Sequence, residues 1–130
     1  MLHRDYLLEV IAQFVEVIME ALSLAIKQGD PAAIEDAEAA IAGLLDLDPQ
    51  VALRLSPDSL VTMMILSGMG DSLADYVTYS LRQVGDAYER LGDSYTAGLR
   101  REQAHAVADS FGCDYDVVPP EFEEFEKTRQ

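Results

Sequence analysis

The chain reads as an all-α domain of antiparallel helical hairpins, about five helices in all, on three kinds of observation. Gly-Asp dipeptides stand at Gly29-Asp30, Gly70-Asp71 and Gly92-Asp93, where glycine can end one helix and aspartate can cap the next. The segments between them repeat their apolar residues at helical spacing. Start signals of a capping side chain followed by proline recur at Asp30-Pro31 and Ser56-Pro57. Turns this short make successive helices lie back to back.

The first helix is expected from about Arg4 to Gln28. Glu9, Gln13, Glu16, Glu20 and Lys27 form one narrow polar stripe, so its apolar arc is wider than a single packed face requires. Phe14 and Ile18 mark one side of that arc. Val10, Val17 and Leu24 mark another, which needs a cover of its own. The second helix runs from Pro31 to about Leu45, with Ile34, Ala37, Ile41, Leu44 and Leu45 inward. Asp46-Leu47-Asp48-Pro49 ends it, because proline disfavours helical geometry in the residue before it. A short turn or helix follows through Leu53 and Leu55.

The third helix, about Pro57 to Ser67, is apolar nearly all round, which predicts burial, and Gly68 and Gly70 end it. The fourth is capped by Asp71 or Ser72 and continues to about Leu91, with Leu73, Tyr76, Val77, Leu81, Val84, Tyr88 and Leu91 inward. The fifth follows Gly92-Asp93 and extends to about Ser110. These elements make residues 1–112 one helical domain. Residues 113–130 form an acidic tail stiffened by Pro119-Pro120, with Phe122 and Phe125 suited either to a short docked helix or to a frayed end.

At 130 residues and 49% hydrophobic content the chain can bury a full core. Its 24 acidic against 9 basic residues give a formal charge of -15, which repels phosphates and disfavours nucleic acid and anionic membrane surfaces as partners. Cys113 is the single cysteine, so no intramolecular disulfide can form. Asp5 and Glu9 interrupt any signal-peptide core, and Glu16 and Glu20 any membrane span. A soluble cytoplasmic setting is expected.

Val84-Gly85, Tyr88, the Gly92-Asp93 turn, Ala97 and Ala104 fall at the spacing of a tetratricopeptide repeat, and this helix pair resembles that family. Arg101 stands where the pattern expects a large apolar residue, and Asp109 where it expects proline. The resemblance implies a right-handed array of helical hairpins with at most two degenerate units. Arg4-Asp5-Tyr6-Leu7, Lys27-Gln28-Gly29-Asp30 and Leu44-Leu45-Asp46-Leu47-Asp48 also resemble a family of short bacterial helical proteins of unknown function, which implies the fold and no activity.

No enzyme, cofactor or metal site is read from the motifs. Gly70-Asp71-Ser72-Leu73-Ala74 mimics the serine-hydrolase elbow, but the run before it reads as a helix. Asp46-x-Asp48 fails as a calcium loop because Val51 and Pro57 occupy the required glycine and glutamate positions. His105 and Asp109 share a helical face, with His3 and Cys113 as distant further ligands. Acidic neighbours Asp114 and Asp116 leave the Cys113 thiol inert.

The expected function is therefore a protein–protein interaction module, homodimeric through Val10, Phe14, Val17 and Leu24, with Tyr79 as an exposed anchor. The alternative is a binder of a small apolar ligand or peptide in a groove lined by Met63, Met64, Met69 and Tyr76, since methionine adapts to irregular partners.

Overall fold

The computed structural model describes residues 3–128, with side chains from Tyr6 onward. Among the described residues the chain is all-α, with helices α1 (His3–Leu22), α2 (Pro31–Leu44), α3 (Pro49–Ala52), α4 (Pro57–Ser67), α5 (Gly70–Arg90), α6 (Ser94–Phe111) and α7 (Glu123–Thr128). The hairpins α1–α2 and α5–α6 pack most extensively, α2 rests on α5, and α4 lies against α6. The arginine motif residue Arg4 and the ligand candidate His3 have side chains outside the described set.

The predicted start and stop signals account for most boundaries. Asp30 Oδ1 accepts the Ala32 N–H at 3.0 Å with Pro31 next, and Ser56 Oγ accepts the Ser59 N–H at 3.2 Å with Pro57 next. Asp93 Oδ1 accepts the Thr96 N–H at 3.1 Å. Gly29 and Gly92 take left-handed φ of 66° and 86° at the two hairpin turns. The first helix does not run regularly to Gln28: its last turn, Ser23–Lys27, widens to a π-helix. Asp46 also adopts a left-handed φ of 57°, so a strained aspartate, together with the proline, stops α2.

Leu91, expected inward, is 46% exposed at the end of its helix, and three further expectations are corrected. First, neither Asp71 nor Ser72 caps α5, which begins at Gly70 without a side-chain cap. Gly68 does end α4 as expected, in the left-handed region at φ 74°. A Cβ at Gly70 would run into the Phe111 ring at the far end of α6, so that ring would have to move to admit any larger residue.

Second, α4 is not buried all round. Leu60, Val61 and Met64 face the core, while Met63, Ile65 and Leu66 are exposed, Leu66 by 75%. Hydropathy asks for a neighbour on every side, and α6 supplies it on one only.

Third, Tyr79 is no exposed anchor but is fully buried. The chain beyond Gly112 crosses α5 and covers it. Phe122 stacks on the Tyr79 ring at 4.6 Å between centroids, and the Tyr79 hydroxyl donates to Glu126 Oε1 at 2.7 Å. Tyr76 donates to Glu121 Oε2 at 2.7 Å, and Lys27 Nζ donates to Thr128 Oγ1 at 2.7 Å beside the Phe125 ring. The acidic tail is a docked helix that closes the core over α5 and reaches the end of the first hairpin.

Candidate functional interface

Helix α1 turns Ile11, Phe14, Ile18 and Leu22 into the core. One helical step round lies the second stripe, Tyr6, Val10, Val17 and Leu24. Val17 is 53% exposed and Tyr6 53%, with Val10 and Leu24 partly covered. The facing row of α2 is small: Ala39, Ala40 and Gly43. The missing bulk opens a groove between the helices. One cavity of about 520 Å³ is bordered by Val17, Ala21, Leu24, Ala39 and Ala40, with Glu20 and Asp36 at its edge. The adjoining one, about 260 Å³, shares Val17 and Ala40 and adds Val10, Phe14 and Leu44. A third of about 260 Å³ continues past Val10 to Tyr6, Leu7 and Met69.

The four interface candidates Val10, Phe14, Val17 and Leu24 therefore meet in one groove, with Phe14 as its buried floor and the others as its wall. The groove candidates do not meet. Met64 is buried, Met63 borders a separate cavity with Leu55 and Thr62, Met69 lies at the far end of the α1–α2 groove, and Tyr76 is held by Glu121. Ala39, Ala40 and Gly43 went unnoticed in the sequence because small residues break no periodic pattern. Their only signal is the row they form at spacings of three and four.

A buried polar network holds several of the helices together. Arg100 is buried among the hairpins, with Nε donating to Glu38 Oε2 at 2.8 Å and Nη1 donating to the Leu53 carbonyl at 2.9 Å and to Gln103 Oε1 at 3.2 Å. Gln103 Nε2 donates to the Leu53 and Leu55 carbonyls at 3.1 and 3.0 Å. These bonds satisfy the turn after α3, whose carbonyls would otherwise be buried unpaired. Arg101, the departure from the repeat pattern, pairs with Asp86 at 3.0 Å and Glu89 at 3.1 Å across the α5–α6 hairpin.

Tyr88 donates to Glu38 Oε1 at 3.0 Å, and its pKa is pushed up to about 12, by burial first and then by that carboxylate. A tyrosine that keeps its proton longer when folded adds stability that is complete below its unfolded value and lost as pH rises through the folded one. Folding stability should thus fall between pH 10 and about 12. Tyr88→Phe should make that fall shallower, with Tyr76 and Tyr115, also raised by burial, supplying the remainder. Denaturant titrations across this pH range check it, and an unchanged slope in the variant would contradict the assignment.

His105 lies flat against Tyr115, with centroids 3.6 Å apart and planes 6° from parallel. Among the described residues no three His, Cys, Asp or Glu side chains gather as a metal-binding set. Burial raises the Cys113 thiol pKa, away from the thiolate form. No described helix is long and apolar enough to cross a membrane. No family model, curated protein or solved structure matches the chain.

Proposed function

We propose that this chain is a non-enzymatic protein–protein interaction module that takes up a helix in the α1–α2 groove. One observation carries the proposal: a continuous groove, floored by Phe14, walled by Val10, Val17 and Leu24 and faced by the small residues of α2, lies open along the first hairpin. A helix needs just such a track, because its ridge of side chains seats where the facing helix offers little bulk. The hairpins would then serve as tetratricopeptide-like pairs, presenting helix faces rather than loops. A second copy of the chain and a helix of another protein or peptide both have the required shape, and the first of these is the homodimer expected from the width of the apolar arc.

The test is photo-crosslinking with benzoylphenylalanine placed at Ala39 and, separately, at Leu66 on the exposed face of α4. The proposal expects a discrete protein adduct at Ala39 and none at Leu66. Val17→Glu should remove that adduct while changing stability by less than about 0.5 kcal/mol, as an exposed side chain outside the core allows. Adducts only at Leu66, or at Ala39 unaffected by Val17→Glu, would contradict it.

A further inference from the structure

Resting on the α1–α2 groove as the docking face, we infer that its occupant is an amphipathic helix of a partner protein carrying Lys or Arg along both edges of its apolar stripe, and not a second copy of this chain. The argument is charge. Among the described residues the charged side chains at the groove are all acidic: Glu20 and Asp36 border its larger cavity and Asp46 its far end. Glu9 and Glu16 extend the same acidic edge along α1, both exposed.

Among the described residues most cations are engaged within the chain. Lys27, Arg82, Arg90, Arg100, Arg101 and Lys127 all hold contacts within the chain. Arg54 is exposed and lines a neighbouring cavity with Glu35, Glu38, Ala39 and Arg100, not the cavities of Glu20, Asp36 and Asp46. Two copies meeting through this face would set Glu20 and Asp36 among the matching acids of the partner copy, and like charges at an interface oppose association. The other exposed apolar face, Met63, Ile65 and Leu66 on α4, belongs to a helix with no Lys or Arg, so a head-to-tail contact of copies is not compensated either. A helix with basic edges gains at the rim what a second copy loses, and its apolar stripe covers Val17 and Leu24.

The probe is a fluorescein-labelled helical peptide with leucine at every third and fourth position and lysine flanking them, titrated into the full chain at low and high salt. A peptide of the same leucine pattern with glutamate flanks is the comparison, and light scattering of the chain alone is run beside it. The lysine peptide should bind, weaken with salt, and exceed the glutamate peptide. Glu20→Lys with Asp36→Lys should weaken it roughly tenfold, as two rim charges reversed would. Val17→Glu should also weaken it, although it adds a negative charge, which separates docking from simple attraction of a cation to an acidic protein.

Equal binding of both peptides, or lysine-peptide binding indifferent to the double reversal, would overturn the basic occupant while leaving the groove in place if Val17→Glu still abolishes binding. A dimer of the chain alone that Val17→Glu dissociates would assign the groove to a second copy. Binding of neither peptide with no self-association, or lysine-peptide binding that Val17→Glu leaves intact, would overturn both the occupant and the groove.

Discussion

Phe122→Ala is expected to lower the unfolding free energy by about 4 kcal/mol, the usual cost of emptying a fully buried aromatic site. Phe122 has no exposed surface and stacks on Tyr79, which is equally buried. Its loss leaves more than a cavity. The segment after Pro119 is held by Phe122, Phe125 and a few polar contacts, so weakening this anchor frees Glu126 from the Tyr79 hydroxyl and from Gln83 Nε2 at 3.1 Å. Two buried polar groups on α5 would then lose a carboxylate partner, which adds to the cost. Chemical denaturation of the variant checks the magnitude. A loss under about 1 kcal/mol would mean that the tail is not an integral part of the core.

Arg100→Leu is expected to cost about 3 kcal/mol, because removing one member of a buried ion pair strands the other. The guanidinium and Glu38 are only 9% and 16% exposed, and the same group also serves the Leu53 carbonyl and Gln103. The Leu53 carbonyl would fall back on Gln103 alone, and Glu38 on the Tyr88 hydroxyl. Adding Glu38→Leu to Arg100→Leu should therefore recover part of the loss rather than deepen it. Arg101→Leu is the contrast. Its pairs with Asp86 and Glu89 are about one-third to one-half exposed, and solvent-screened pairs of this kind contribute less than about 1 kcal/mol. Equal losses at Arg100 and Arg101 would refute the distinction.

The parts of this molecule legible in the sequence are those set by local chemistry. Asp30-Pro31, Ser56-Pro57 and Asp93 place helix starts because a side-chain oxygen and a fixed φ act over three or four residues. The wide apolar arc of α1 was likewise local, and it led to Val10, Phe14, Val17 and Leu24, which meet in one groove. What the sequence hid depends on distant partners. Tyr79 sits off the main apolar arc of α5, yet a segment more than forty residues later covers it. The uniform hydropathy of α4 said nothing about how many neighbours it would find, and Ile65 and Leu66 are left in solvent. Arg100 resembles any surface arginine until the Leu53 turn is folded against it. Gly70 resembles a helix stop until Phe111 arrives at its α-carbon.

The central claim is that the α1–α2 groove, and no other face, is where this chain meets its partner. Nuclear magnetic resonance mapping of amide shifts, with the lysine-flanked leucine peptide titrated into labelled chain, tests it most directly. The account predicts shifts concentrated at Val17, Leu24, Ala39, Ala40 and Gly43, with Met63, Ile65 and Leu66 unmoved. Shifts confined to α4, or none at any peptide concentration, would contradict it.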